Sequence, residues 1–304
     1  MTVTPADVCR VLQDRAAATY ELIDYSFVEG LGVSEETITD VNLVEVRRAL
    51  PALHVVTKKF TKHEESASSG ADWLWVFGQP GRWVSLLVQA KLARPGADTV
   101  PKLHHDKGQQ RQLLVACART NNWIPLYVVY NARPAPTPTA GRGATQAAAT
   151  PGSACAAMEA DHRQSGCLAV RPRTVARMFR AHRTTKVAML LEGGRPWASL
   201  FCCPPDGQTI DELADAVLAA MKRFPIDDPH PSSPGARQTD VPDDLWDLSA
   251  DLITPNLPPI AEAVLRGTER APSPSIAAVT IVSSAQLDPP RPQPDEDERF
   301  QWDR

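Results

Sequence analysis

Apolar and polar residues recur with two different periods along the first 131 residues of the chain. A helical period predicts a helix over residues 5–23 and a second helix that Ser34 caps. Three runs of strand-like alternation follow, at 54–61, 72–77 and 83–90. A helix is then predicted over 108–120, and the apolar run IPLYVVY at Ile124–Tyr130 predicts a buried strand. The predicted order is helix, three strands, helix, strand.

Low-complexity composition divides the rest of the chain. Residues 132–157, rich in Ala, Pro, Thr and Gly, predict a surface loop or linker. Residues 158–224 predict an α/β extension that packs on the core, with helices near 173–180 and 210–223 and a strand at 187–191. Half of the 28 prolines follow Phe224.

The last segment, residues 225–304, predicts a Pro-rich acidic tail that is largely irregular, because proline interrupts helices and strands. Within it we expect a short helix at 259–266 and a short strand at 276–282. A chain that ends near Phe224 is therefore expected to keep a folded core.

Composition indicates an ordinary globular protein, with 43% hydrophobic and 22% charged residues. The net charge of −4 gives no global basic field, although an acidic tail can mask a basic face in the sum. The chain has neither an apolar run near the roughly 20 residues that span a bilayer nor the start of a signal peptide. We therefore expect a cytoplasmic protein without membrane contact, whose six cysteines, none in a C-x-x-C pair, are buried free thiols.

The segment FGQPGR predicts a turn between the second and third strands, because Gly and Pro favour turns. With the hairpin symmetric about the Gln79–Pro80 bond, Asp72 lies opposite Leu87. Side chains alternate between the two faces of a strand. Gln89 and Lys91 then share a face with Leu87, and Asp72 joins them across the ladder.

This shared face would hold a carboxylate from Asp72, the Gln89 amide and the Lys91 ammonium, with Glu64 and Glu65 at the end of the first strand. Carboxylate and amide oxygens suit Mg²⁺ or Mn²⁺ and not zinc. A divalent cation beside a lysine suits phosphodiester hydrolysis, because the metal polarises the phosphoryl oxygen and the lysine orients water or offsets charge. The residues themselves therefore indicate metal-dependent hydrolysis.

Asp72 followed by Gln89-Ala90-Lys91 on a strand resembles the PD-(D/E)XK, or restriction-endonuclease-like, superfamily. It is most similar to the Mrr-like branch, in which Gln takes the first acidic position of (D/E)xK. The string GADWLW…WVSLLVQAK also resembles an uncharacterised bacterial family with an E…GADW…QAK pattern. The resemblance covers residues 33–131 and implies an α/β fold whose catalytic core, within residues 1–131, is a helix, three strands, a helix and a strand. The C-terminal α/β extension and the Pro-rich tail would follow this core.

The resemblance implies a role for each residue that matches the motif. Asp72, Glu65 and the Gln89 amide would hold Mg²⁺ or Mn²⁺. Lys91 would position or polarise the attacking water. Glu64 is an alternative to Glu65 for the acidic position before GADW.

Other positions leave more than one candidate. The core helix of the superfamily often supplies a Glu, for which Glu36 is the best match and Glu35 the next. Ala71 stands where other branches have the proline of "PD". Gln109 or Gln112 could face the site from the following helix. A basic rim for phosphates could be formed by Lys58, Lys59, Lys62, Lys102, His104, His105, Lys107 and Arg111.

The expected function is a Mg²⁺-dependent endonuclease that hydrolyses phosphodiester bonds, by family analogy in bacterial defence against foreign DNA. Its expected partner is nucleic acid, DNA above RNA, and a homodimer is a further expectation. The alternative is a catalytically silent member of the same fold that binds nucleic acid or protein. A small-molecule enzyme has no support, because the sequence has no P-loop, G-x-G-x-x-G or G-x-S-x-G motif.

Overall fold

The computed structural model describes residues 4–50, 54–59, 69–100, 103, 108–133, 158, 161–182, 186–202, 212–224, 250–267, 276–285 and 287. Its helices are α1 Pro5–Val28, α2 Glu35–Ala49, α3 Gln109–Thr120, α4 Pro172–His182, α5 Val187–Gly193, α6 Leu213–Arg223 and α7 Pro259–Leu265. Its strands are β1 His54–Lys59, β2 Trp73–Gln79, β3 Arg82–Leu92, β4 Ile124–Tyr130, β5 Cys167–Val170, β6 Arg195–Pro196 and β7 Ala278–Ser283.

The described strands form one mixed sheet of seven strands in the order β1-β7-β2-β3-β4-β5-β6. Strand β2 runs parallel to β7, β3 runs parallel to β4, and the remaining neighbours are antiparallel. The two strands at the centre, β3 and β4, are buried on both faces, which explains their nearly continuous apolar runs.

Helices cover both faces of this sheet. On one face α1, α2 and α6 pack around Trp73, Trp75 and Trp197, which are the largest fully buried side chains among the described residues. On the other face α3, α4, α5 and α7 pack on residues such as Leu87 and Tyr127. The fold is therefore mixed α/β in three layers, and the predicted element order of residues 35–130 is confirmed.

The predicted strand at 187–191 is wrong, because these residues begin helix α5. In the sequence they form a short apolar run, which does not distinguish a strand from a buried helix. In the structure Val187 and Leu190 are buried, whereas Ala188 is exposed. That three-residue spacing is the burial pattern of a helix lying on a sheet.

The short helix and the short strand expected after Phe224 are both present, as α7 and β7. However, β7 is an interior strand, paired with β1 on one side and with β2 on the other. Its side chains are buried, including Val279, Ile281 and Val282. The segment 225–304, predicted to be a largely irregular tail, therefore supplies part of the core. The structure thus favours loss of the folded state in a chain that ends near Phe224, against the expectation from the sequence.

Two observations bear on the expected cellular location. None of the described helices combines the length and the apolar character that crossing a bilayer requires.

The prediction of free thiols is wrong for Cys9 and Cys202, which form a disulfide that joins α1 to the turn before α6, with their Cα atoms 5.5 Å apart. Because the two cysteines are 193 residues apart, no local sequence pattern predicts that they pair. Disulfides are rare in reducing compartments, so this pair lends no support to the expected cytoplasmic location.

Truncation after Phe224 is expected to abolish the folded state, because it removes β7 from the middle of the sheet. Burial of Val279, Ile281 and Val282 contributes on the order of 5–9 kcal/mol, which is comparable with the whole stability of a domain. Thermal unfolding followed by circular dichroism should show no cooperative transition. The control is a chain that ends at Leu287, which keeps every described residue and should melt like the full chain. A cooperative transition in the chain that ends at Phe224 would contradict this placement of β7.

Candidate active site

The hairpin of β2 and β3 places Asp72 next to Gln89. The two strands pair with Gln79 opposite Arg82 and Trp73 opposite Val88, so the next pair along the ladder is Asp72 and Gln89. The turn is centred on the Pro80–Gly81 bond, and Gly81 takes a φ of +90°, which side chains with a Cβ rarely adopt. The expected partner of Asp72, Leu87, is wrong by two residues. A slip of two preserves the alternation of faces, so the expected shared face remains.

The Asp72 carboxylate closes the end of the hairpin. Its Oδ2 atom accepts a hydrogen bond from the backbone N–H of Ala90 at 2.6 Å. The same oxygen accepts a short hydrogen bond from the Gln89 side-chain amide. At the point where the regular ladder ends, the Asp72 carboxylate thus accepts a hydrogen bond that a backbone carbonyl would otherwise accept. This contact with β3 fixes the position of the carboxylate.

A second glutamine continues this contact toward helix α3. Gln110 Nε2 donates to Gln89 Oε1 at 2.7 Å, and Gln89 itself is 1% exposed. The approach depends on Gly70, which has a φ of +64° and lies so close to α3 that a Cβ would come within 2.4 Å of the Gln110 carbonyl oxygen. Sequence reasoning expected Gln109 or Gln112 here. Both of these are exposed, and Gln110 faces the site instead.

Lys91 lies at the buried end of β3 beside the first turn of α2. Its ammonium is 3.8 Å from Glu35 Oε1, and its side chain is 9% exposed. The other oxygen of Glu35 accepts a hydrogen bond from the backbone N–H of Leu92 at 2.9 Å. The position of α2 follows from its cap, because the Ser34 hydroxyl accepts from the Thr37 N–H and starts the helix at Glu35.

The environment of Glu35 favours its protonated form. Burial raises the pKa of its carboxyl from 4.5 to about 7, with a smaller contribution from the Asp72 carboxylate. The Lys91 ammonium and the Leu92 N–H oppose this rise. Glu35 therefore interacts electrostatically with both Lys91 and Asp72, which indicates that the three charged groups belong to one cluster.

Tyr127 lies beside Gln89 on the neighbouring strand, where the two residues are register partners. Its phenol is fully buried, and its hydroxyl has no hydrogen-bond partner within the described part of the chain. Burial raises the pKa of Tyr127 well above its ordinary value, Arg111 opposes the rise and Asp72 adds to it. A buried hydroxyl without a hydrogen-bond partner is uncommon in folded proteins.

The structure brings together three of the five predicted site residues, Asp72, Gln89 and Lys91. Of the two helix candidates, Glu35 contacts Lys91 and Glu36 is exposed, so the geometry favours Glu35. Glu64 and Glu65 lie outside the described residues. The same holds for Lys62, Lys102, His104, His105 and Lys107 of the expected basic rim. Lys59, another member of the rim, forms an ion pair with Asp40 at 2.7 Å.

The cluster offers a partial ligand set for a metal ion. Among the described residues, no group of three or more His, Cys, Asp and Glu side chains is arranged to hold one. The side chains of Asp72 and Gln89 are in contact, and each carries an oxygen of the hard type that Mg²⁺ prefers. The Gln89 amide presents its nitrogen to Asp72, so a shared cation requires this amide to turn by 180°. Gln110 is also an amide and can turn with it, which keeps the hydrogen bond between the two side chains.

The fold and the cluster define a mixed α/β protein with an acid–amide–lysine site at the buried end of a central strand. A family model described as a family of unknown function, DUF6615, matches residues 8–288. The chain therefore belongs to the DUF6615 family. A search of the curated proteins and a search of the solved structures each gave no match.

The raised pKa of Glu35 predicts that stability falls between about pH 4.5 and 7. In this range the folded protein retains a proton on Glu35 that the unfolded chain releases, so the free energy of unfolding decreases as the pH rises. Glu35→Gln keeps an acceptor for Leu92 and cannot titrate. In EDTA, urea unfolding at pH 5 and pH 8 should show a loss about 1–3 kcal/mol larger in the wild type than in this variant.

The matched control is Glu36→Gln, which alters the exposed neighbour in the same helical turn. It should follow the wild type. Equal pH dependence of the wild type and Glu35→Gln would show that the Glu35 carboxyl ionises as freely in the folded protein as in the unfolded chain.

Proposed function

We propose that the chain is a metal-dependent nuclease that hydrolyses phosphodiester bonds in nucleic acid, with DNA as the first candidate. One observation carries the proposal: a carboxylate, an amide and an ammonium from Asp72, Gln89 and Lys91 converge at the buried end of β3. Burial of a lysine costs free energy that an ion pair such as the one with Glu35 often fails to repay in full, so its position here is not explained by stability alone. Phosphodiester hydrolysis supplies that reason, since the reaction develops negative charge on oxygen.

Each residue has a role in this reaction. In the hydrolysis a water oxygen forms a bond to phosphorus, one P–O ester bond breaks, and a proton passes to the departing oxygen. Lys91 donates hydrogen bonds to the attacking water or to a phosphate oxygen, where its charge offsets the charge that develops. Glu35 holds the Lys91 ammonium from the side of α2 and orients it. Asp72 and Gln89 form the oxygen-rich side of the site.

The fit to Mg²⁺ or Mn²⁺ rests on the donor atoms. Asp72 and the Gln89 amide oxygen would hold the cation, and Glu65 is the candidate for a further carboxylate. When bound, the cation would polarise the phosphoryl group and favour attack by water. Gln110 would turn together with Gln89 and so keep the hydrogen bond that the two amides share.

The proposed fold is restriction-endonuclease-like, and the order α2, β1, β2, β3, α3, β4 supports it. The antiparallel hairpin β2–β3 and the parallel pair β3–β4 place the site residues and the following helix at one end of the sheet. In this chain β7 lies between β1 and β2, so the C-terminal segment completes the core. A role in bacterial defence against foreign DNA remains the proposed setting, by analogy alone.

Lys91→Met is expected to reduce Mg²⁺-dependent cleavage of duplex DNA by roughly 10²–10³-fold, because it removes one charged donor from the reacting groups. Methionine keeps the length and the apolar stem of lysine, so the melting temperature should stay close to that of the wild type. Gel-based cleavage of plasmid and linear duplexes, with and without EDTA, measures the effect.

Lys222→Met is the matched control, since Lys222 is exposed on α6 on the opposite face of the sheet. It should cleave like the wild type. Equal cleavage by Lys91→Met and the wild type would contradict the proposed role of Lys91 in the reaction. Nucleic-acid binding by the wild type without cleavage in Mg²⁺ or Mn²⁺ would instead favour a catalytically silent binding module.

Asp72→Asn is expected to weaken Mn²⁺ binding by about tenfold or more, about 1.4 kcal/mol, because an amide lacks the charge of a carboxylate. Isothermal titration calorimetry at pH 7.5 measures the affinity. Asp40→Asn serves as the control, since Asp40 binds Lys59 on the surface and should leave the titration unchanged. Indistinguishable heats for Asp72→Asn and the wild type would remove Asp72 from the metal site.

A further inference from the structure

The segment from Arg171 to Lys186, RPRTVARMFRAHRTTK, carries an unusual density of positive charge. It contains six cations and no carboxylate, in a chain with a net charge of −4. These cations are Arg171, Arg173, Arg177, Arg180, Arg183 and Lys186. We call its described part, residues 171–179, the basic segment; it carries Arg171, Arg173 and Arg177, and helix α4 begins within it at Pro172. A basic stripe along one helix is the charge pattern of a surface that binds nucleic acid.

One face of α4 is anchored in the core. Val175 and Met178 are buried among the residues beneath the helix, including Tyr127 and Val170. Arg173 and Arg177 are four positions apart, so they share the partly exposed face of the helix. Two like charges at this spacing destabilise a helix by about 0.2–0.5 kcal/mol. An anion bound between the two guanidinium groups would offset this repulsion.

The surroundings of α4 increase this electrostatic strain. Partial burial lowers the pKa of Arg171, and the neighbouring Arg173 lowers it further. Helix α5, which packs beside α4, carries one carboxylate, Glu192, and it is exposed. The nearby Asp98 forms an ion pair with Arg133 at 2.9 Å. The charges around Arg171 thus favour the approach of an external anion.

The basic segment lies on the same side of the sheet as the candidate active site. Gln89 on β3 is the partner of Tyr127 on β4, which in turn pairs with Val170 on β5, directly before the basic segment. Two strand spacings are about 10 Å, which is comparable with the roughly 12 Å width of the major groove of a duplex. Beyond the basic segment, the N–H of Val187 at the start of α5 donates to the Asp98 carbonyl at 2.9 Å, in the loop that follows β3.

We infer that the basic segment binds the phosphate backbone of a nucleic-acid duplex and holds it across the candidate active site. The inference rests on the proposed function and names the surface that holds its substrate. An anionic membrane is the less suitable partner, because Val175, Ala176 and Met178 of α4 are buried in the core and cannot insert into a bilayer. Arginine, with its planar fork of donors, suits phosphate oxygens.

The test is the double variant Arg173→Glu/Arg177→Glu, measured by fluorescence anisotropy with a labelled DNA duplex of about 30 base pairs in EDTA, where no cleavage occurs. Binding should weaken by at least about tenfold at low salt. The slope of log K against log salt should become shallower by about two, at roughly 0.9 per lost phosphate contact. Arg173→Gln/Arg177→Gln is a second variant with a smaller change in charge, in case the first fails to fold.

The matched control is Arg10→Glu/Arg48→Glu, which changes the net charge by the same amount on helices α1 and α2, on the opposite face of the sheet. Both side chains are more than 70% exposed, and their replacement should leave affinity and slope nearly unchanged. Equal losses in the two double variants would overturn the inference, since net charge alone would explain them. Tighter binding of the wild type to phosphatidylserine vesicles than to the duplex, or no duplex binding at any salt, would also overturn it.

The two proposals fail in different ways. Binding that depends on Arg173 and Arg177, without cleavage in Mg²⁺ or Mn²⁺, supports the binding surface and contradicts the nuclease. Cleavage that requires Lys91, together with an unchanged salt slope in the arginine variant, contradicts the binding surface and supports the nuclease.

Discussion

The burial of two polar side chains at the end of β3 constrains the architecture around it. Gln89 and Lys91 are 1% and 7% exposed, and a buried polar group without a partner costs about 1–3 kcal/mol, more when it is charged. Partners come from outside β3: Asp72 from the hairpin and Gln110 from α3 bind Gln89, and Glu35 from α2 contacts Lys91. The start of β2 and the first turns of α2 and α3 must therefore meet at this point.

A protein selected for stability alone would not need this arrangement. Well-packed apolar residues in place of a buried charged pair are often neutral or stabilising, and β3 already places apolar side chains at most of its other positions. Glu35 also lowers the free energy of unfolding at high pH, because above about pH 7 its carboxyl must ionise in a partly buried place. Perturbed titrating groups next to a buried lysine are typical of functional sites. The proposed catalytic role would account for a cluster that the fold maintains at a cost in stability.

The sequence predicts features set within one strand or hairpin and misses contacts between segments that are far apart in the chain. The alternation of a strand puts Asp72, Gln89 and Lys91 on one face even though the expected register is two residues off. The choice between neighbours, such as Glu35 over Glu36, depends on how a helix is rotated, and tertiary packing sets that rotation. The insertion of β7 between β1 and β2 joins residues more than 200 positions apart. No local pattern reports such a pairing, or the disulfide between Cys9 and Cys202.

The sheet would hold the proposed phosphate-binding surface at a fixed distance from the candidate active site, in a chain whose net charge is −4. The acidic and amide groups of the site lie at the end of β3, and the basic segment begins two strands away at the end of β5. Because β4 is buried and hydrogen-bonded to both neighbours, the distance between these opposite charges is held by the core and not by loops. A duplex bound along the arginines would then meet Lys91 and Asp72 at a fixed offset. That rigidity would select the position of a cut along the backbone without any contact to the bases, since phosphate contacts position a protein and base contacts give sequence specificity.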